Sequence, residues 1–237
     1  MRLDKFLSIT ATATRSEAGK AARSGRIKVN GIPCKNASEH IDPDKDAVEY
    51  CGELVAYRKN IYIMLNKPQG YVSATEDGKD KTVLELLPEK LRDIGLFPCG
   101  RLDKNTVGLM LLTNNGELGH KLLAPKSHVA KTYGFKCENE LSDEDAAKLE
   151  NGVYIAGGYL TKPAKIKLAP SRTAGEITIT EGKYHQIKLM FEAVKNKITE
   201  LERLTFGPLV KDETLQRGEW RYLTELETEM LEKHCQK

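Results

Sequence analysis

No apolar stretch of this 237-residue chain approaches the roughly 18 to 20 residues that a helix needs to cross a bilayer; the longest is the run around Val107 to Leu112. A membrane-spanning helix is thereby excluded, and no membrane partner is expected. Cysteine is scarce: Cys34, Cys51, Cys99, Cys137 and Cys235 are scattered without metal-ligand spacing, and their odd number argues against a disulfide framework. Reduced, mostly structural thiols are the expectation. Also missing are a dinucleotide-binding glycine fingerprint, a P-loop and any His/Cys metal cluster, so the sequence offers no motif for a nucleotide cofactor or a metal. The N-terminus has the Arg, Ser and Thr of a transit peptide, but Asp4 and Glu17 interrupt it and no apolar signal core follows. A folded, cytoplasmic protein is the reading. There is no internal repeat, and nothing suggests a coiled coil, so a monomer is expected.

What is present begins with 40% hydrophobic residues, enough for one large domain or two small ones to bury a core. The net charge of +3 is small but unevenly spread. Residues 1 to 35 hold eight basic side chains against Asp4 and Glu17, a net of +6, which leaves −3 for the remainder. A basic module on a faintly acidic body suggests that the module meets phosphates. Leu3, Phe6 and Leu7 give a first short helical stripe, and Thr14 with Glu17 reads as a capping box opening a second helix that Gly25 stops. Lys20 and Arg23 share a face of that helix, and Arg26 and Lys28 point outward around the following strand, before an Asn30-Gly31 turn. The strings "RLDKFL" and "TRSEAGKAARSGRIKVNG" resemble the S-four type RNA-binding domain. That resemblance implies RNA contacts for Arg2, Lys5, Arg15, Lys20, Arg23, Arg26 and Lys28.

The polar segment from Asp42 to Asn60 closes this module and contains a linker, which gives domains of 1–58 and 59–237. The body opens with a strand in "IYIMLNKPQGYVSAT" that ends at Asn66, Lys67 and Pro68. Val107 to Leu112, "KTYGFKC" and "EITIT" read as further strands. Helices are expected at Glu117 to Ala124, stopped by Pro125; at Ser142 to Glu150, capped by Ser142 and Asp145 and stopped by Gly152; near His185; and in "TELETEMLEK". Strands and helices interleave without a repeating βα rhythm, so a mixed α+β body follows.

The densest string is "CGRLDKNTVGLMLLTNNGELGHKL", residues 99 to 122. Asp103 stands in a polar turn before a buried strand, where a carboxylate is rigidly placed and partly desolvated. Alone, that pattern is more often a turn-former. The whole string, however, resembles the RsuA branch of the pseudouridine synthases, with Asn115 where an Asp is usual. "LNKPQGYVSAT", "KTY" at 131 to 133 and "EGKYHQIKLMF" at 181 to 191 match in family order, and with the N-terminal module the resemblance covers nearly the whole chain.

The resemblance implies an α+β fold, with a small S-four-like domain joined to a catalytic domain built on a mixed, largely antiparallel sheet with flanking helices. It implies isomerisation of a uridine in ribosomal RNA: the bond from ribose to uracil nitrogen breaks, the ring turns, and carbon five forms the new bond. No redox change or donor is involved. Asp103 would be the catalytic carboxylate, Lys188 its cationic partner, and Tyr133 would lie against the uracil ring to stack and to take or relay the proton leaving carbon five. Whether Asp103 attacks the sugar, attacks the ring or supports elimination is left open. Arg101 would hold a phosphate or fill the gap left by the extruded base; Asn66, Lys67, Thr106, Lys131, His185 and Gln186 complete the expected substrate-binding set. Leu189 departs from the family, which usually has Arg there; since neighbouring helix residues are turned by about 100°, Leu189 need not enter the site. The partner expected is ribosomal RNA, free or in a partly assembled subunit. Small-subunit rRNA is favoured, with large-subunit rRNA or a non-catalytic assembly factor as alternatives.

Overall fold

The computed structural model describes residues 1–10, 12–57, 60–92 and 94–235. The chain divides into two units, one of Met1–Ile61 with Leu84–Phe97 and one of Tyr62–Val83 with Pro98–Lys237. The boundary expected at Arg58 lies outside the described residues. Leu84–Phe97, which the sequence reading assigned to the second domain, packs in the first unit. Its Leu87 and Leu91 are buried, and Lys90 Nζ donates to the Thr12 carbonyl at 3.1 Å.

In the first unit the helix Leu3–Ile9 and the helix Arg15–Arg23 pack over a four-stranded sheet. The capping box forms: the Thr14 hydroxyl accepts from the Glu17 amide, and the Glu17 carboxylate takes the Thr14 amide at 2.8 Å. Leu3, Phe6, Leu7, Ala18, Ala22 and Ile27 form the centre of its core. Small alanines on one helix face permit close helix packing, and the opposite face carries the charge. Asn30 and Gly31 both have positive φ, 53° and 79°, as a two-residue hairpin turn between twisted strands requires. Arg2, Lys5, Arg15, Lys20, Arg23, Arg26 and Lys28 are all exposed. Arg2 also pairs with Asp4 at 2.6 Å, and Lys28 lies 3.4 Å from Glu49.

The second unit is built on a mixed sheet. Its main path runs Lys165–Leu168, Ala174–Ile179, Lys131–Cys137, Ile198–Phe206, Val107–Thr113, Tyr62–Lys67, Trp220–Tyr222. Along it, Val107–Thr113 and Ile198–Phe206 are parallel and the other neighbours antiparallel. Leu109, Met110, Leu111 and Leu112 are each 0% exposed, so this strand is covered on both faces, which is why it reads as an unbroken apolar run. Full burial of each such side chain stabilises by about 1.5–3 kcal/mol.

The flanking helices Gly116–Leu123, Asp143–Asn151, Gln186–Ala193 and Glu225–His234 match the four expected from sequence within one or two residues. Ser142 and Asp145 form a capping box, and Gly152, at φ 96°, ends that helix. The five cysteines are free thiols, and no helix among the described residues is long and apolar enough to cross a membrane.

Candidate active site

Asp103 stands in the turn that leads into Val107–Thr113, and one other segment, residues 67 to 73, holds that turn. Lys67 is 0% exposed. Its Nζ donates to the carbonyls of Pro68 at 3.1 Å, Asp103 at 3.1 Å, Lys104 at 3.3 Å and Thr106 at 2.9 Å. The Gly70 amide donates to the Lys104 carbonyl at 2.9 Å. Ser73 Oγ donates to the Leu102 carbonyl at 2.7 Å and accepts from the Leu102 amide at 2.9 Å. An ammonium has three protons, so Lys67 saturates itself on backbone oxygens and locks the turn before any ligand arrives. Pre-organisation of this kind keeps the turn that carries the Asp103 carboxylate in one geometry.

The carboxylate faces a cleft of about 990 Å³, at the upper end of the roughly 300–1,000 Å³ typical of small-ligand sites. Lys188 Nζ donates to Asp103 Oδ2 at 2.7 Å, and His185 Nε2 lies 3.5 Å from Oδ1. These side chains are partly buried, which strengthens the pair relative to one in open water. Lys188 projects from the helix Gln186–Ala193, whose first turn is anchored by Gln186. Gln186 Nε2 donates to Glu181 at 2.7 Å, and its Oε1 accepts the Lys183 amide at 2.9 Å. His185, just before the helix, is held at φ 51°, a left-handed conformation that is uncommon for a residue other than glycine.

Tyr133, on strand Lys131–Cys137, is 7% exposed and lines the cleft. Arg203 pairs with it across the sheet and is itself 1% exposed. The Arg203 guanidinium donates to the Leu109 carbonyl at 2.7 Å and lies 5.1 Å from the Phe206 ring centroid. Lys131 Nζ donates to the Val129 carbonyl at 2.8 Å. The cleft wall therefore gathers more buried cations than anions.

Burial pushes the Lys67 ammonium down to about 8, with Asp103 opposing the shift and Arg203 and Lys188 adding to it. Burial also lowers Lys131 to about 8, reinforced by Arg203. Both folded values lie below the ordinary 10.5, so folding expels protons between about pH 8 and 10.5 and these two groups make stability rise with pH across that window. Urea unfolding midpoints followed from pH 7.5 to 10 should therefore climb less steeply, or fall further, in Lys131→Met than in the wild type. Parallel curves would show that Lys131 is not desolvated.

Of the residues expected at the site, Asp103, Lys188, Tyr133, Arg101, Thr106, Lys131, His185 and Gln186 line this one cleft. Arg101 is exposed there. Thr106 is 2% exposed, and its Oγ1 is the buried side-chain oxygen without a partner among the described residues. Asn66 and Lys67 do not line it. Asn66 donates to the Leu215 carbonyl at 2.7 Å and accepts from Arg217, bracing the loop at 215 to 219, while Lys67 works beneath the turn. Sequence reading did not single out Ser73, Glu181 or Arg203. Ser73 lies inside a matched motif and Glu181 opens another, so both could have been found; Arg203 is one charge among several in "ITELERLTF".

The sequence signature of "RNA pseudouridylate synthase" matches residues 61–193, more than half of the chain, and that of the "S4 domain" matches residues 1–46. The chain belongs to the RNA pseudouridylate synthase family. Among relatives, the "Uncharacterized RNA pseudouridine synthase YtzG" of Bacillus subtilis (strain 168) is 48% identical over 235 residues, covering 98% of each chain. The "Ribosomal small subunit pseudouridine synthase A" of Escherichia coli (strain K12) is 40% identical over 229 residues, covering 96% of this chain and 98% of that one. A solved structure, "Crystal structure of pseudouridylate synthase", superposes with a TM-score of 0.69 at 38% identity, over 98% of this chain and 99% of the other.

Within this pseudouridylate synthase the two sequence departures have plain structural readings. Asn115 caps the helix Gly116–Leu123 by accepting the Leu118 amide at 3.1 Å, a duty Asp and Asn perform equally well, and donates to the Tyr62 hydroxyl at 2.9 Å. Leu189 does not line the cleft.

Proposed function

We propose that this enzyme isomerises one uridine of small-subunit ribosomal RNA to pseudouridine, with Asp103 as the catalytic carboxylate. The observation that carries the reading is the Lys188–Asp103 pair at 2.7 Å, held on a locked turn inside a cleft large enough for an extruded nucleotide. Lys188 places a cation directly against the carboxylate, beside the site of an uncharged base. Asp103 acts as the ribose-to-nitrogen bond breaks and the ribose-to-carbon-five bond forms, Tyr133 lies on the uracil ring and takes or relays the carbon-five proton, and a proton ends on the freed ring nitrogen, so the product is an isomer of the substrate. Thr106 Oγ1 is buried without a partner among the described residues, and leaving such a group unmatched costs about 1–3 kcal/mol. Arg101 and Lys131 supply positive charge to neighbouring phosphates.

The choice of small-subunit RNA rests on relatives of about 40% identity over nearly the whole chain that carry that substrate in their names. The N-terminal module, ending near residue 58, is proposed to grip the same RNA through Arg2, Lys5, Arg15, Lys20, Arg23, Arg26 and Lys28, giving affinity while the second unit does the chemistry. The enzyme would work as a cytoplasmic monomer on free rRNA or a partly assembled subunit. Pseudouridine mapping of rRNA from cells with and without the gene tests the reading. Loss of one site in small-subunit rRNA is expected; a lost large-subunit site would move the target, and an unchanged map would refute the assignment.

A further inference from the structure

At the mouth of the cleft the chain presents an aromatic surface that the chemistry at Asp103 does not use. Tyr184 is 76% exposed, although it belongs to the same short segment as Gln186 and Lys188. Its ring stacks on His185 with centroids 3.8 Å apart and planes 18° from parallel, and His185 in turn lies 3.5 Å from Asp103. The backbone beneath is fixed: Gln186 Oε1 accepts the Lys183 amide, the Gln186 amide donates to the Lys183 carbonyl at 3.2 Å, and His185 is held in the left-handed region. Lys183 sits with its ammonium 4.4 Å from the Tyr159 ring centroid, and Lys162, whose Nζ lies 3.0 Å from His128 Nδ1, lines the same cleft, so the cleft wall carries cations. A large aromatic side chain on a pinned turn loses little further entropy on binding.

We infer that the Tyr184–His185 stack is a docking platform for the base adjacent to the target uridine, so that it sets sequence preference at that neighbouring position and holds the strand while the uridine is extruded. The inference rests on the RNA-isomerase reading above. An RNA base fits because its flat face matches a flat ring, its backbone phosphates meet the lysines of the cleft wall, and a nucleotide whose neighbour reaches Asp103 must pass this point. A purine, with the larger stacking face, is the preferred occupant. His185 has two duties, backing the platform and facing the carboxylate, so occupancy of the platform orders the wall next to Asp103.

The test uses a hairpin RNA with one loop uridine flanked on one side or the other by 2-aminopurine, whose fluorescence is quenched by stacking. Full-length wild type should quench one of the two probes, and Asp103→Asn should quench it equally. Tyr184→Ala should lose the quenching and bind about tenfold more weakly, while Tyr184→Phe restores both. Replacing the reporting base with an abasic site should erase the difference between wild type and Tyr184→Ala. Equal quenching by wild type and Tyr184→Ala, absence of quenching in saturated wild type, or an undiminished Tyr184→Ala defect on the abasic hairpin would each overturn the platform. Pseudouridine formation, scored separately, reports on the functional reading, so a wild-type protein that quenches but isomerises no uridine sinks that reading and leaves the platform standing.

Discussion

Asp103→Asn should lower pseudouridine formation by on the order of 10⁴-fold or more while leaving RNA affinity within about twofold, because it removes the reacting oxygen's charge and changes little else. The side chain keeps its size and its place on the turn. Lys67, Gly70 and Ser73 hold that turn through backbone atoms of residues 102 to 106 and do not touch the carboxylate. Asn can still accept one hydrogen bond from Lys188, so the fold should be intact and the thermal midpoint close to wild type. Single-turnover assays with release of a label from carbon five of uracil would measure the rate, and filter binding the affinity. Turnover within tenfold of wild type would remove Asp103 from the chemistry, and a parallel loss of binding would make it a grip on RNA.

Gly108→Ala should be severely destabilising, costing more than about 4 kcal/mol and in practice preventing recovery of folded protein. Gly108 has φ 101°, and a Cβ there would stand 2.4 Å from the Arg203 carbonyl oxygen and 2.8 Å from its amide nitrogen. Both contacts are with backbone of the parallel neighbour strand, which cannot swing aside as a side chain could. Relief would require parting Val107–Thr113 from Ile198–Phe206 where Arg203 donates to Leu109, so damage would spread from the sheet to the site. Gly78→Ala is the matched control, since nothing lies within 4 Å of its Cβ position, and it should shift stability by less than about 0.5 kcal/mol. Soluble yield and urea midpoints of the two variants compare them directly. A folded Gly108→Ala with a midpoint near wild type would mean that the strands can separate cheaply.

Both expectations turn on features that differ in how far the sequence reveals them. Asp103 stands out in the sequence because its neighbours form a long ordered string. Gly108 belongs to the same string, yet only the paired strand ninety-odd residues later explains why a side chain is excluded. That partner, Ile198–Phe206, is the clearest strand the sequence conceals. Register shifts between Ile198 and Glu200 and between Arg203 and Thr205 break the period of two, and five charged or polar side chains interrupt its apolar pattern. Leu84–Phe97 is a similar case: its leucines announce a core-facing segment but carry no mark of which core they join.

Lys67 illustrates the remaining gap. In sequence it is a lysine at the end of a strand, as suited to touching phosphate as to any other duty. Burial and four backbone acceptors make it a clamp instead.

By itself the sequence determined what depends on near neighbours: the capped helix starts at Thr14 and Ser142, the Asn30-Gly31 turn, the apolar strands, and the ordered strings that mark the family. Tertiary structure decided what depends on distant ones. Lys67 reaches across 36 residues to the Asp103 carbonyl, and Lys188 across 85 to its carboxylate. Such pairs leave no periodic trace, because the energy that joins them is released only when the sheet has closed and water has been expelled from between them.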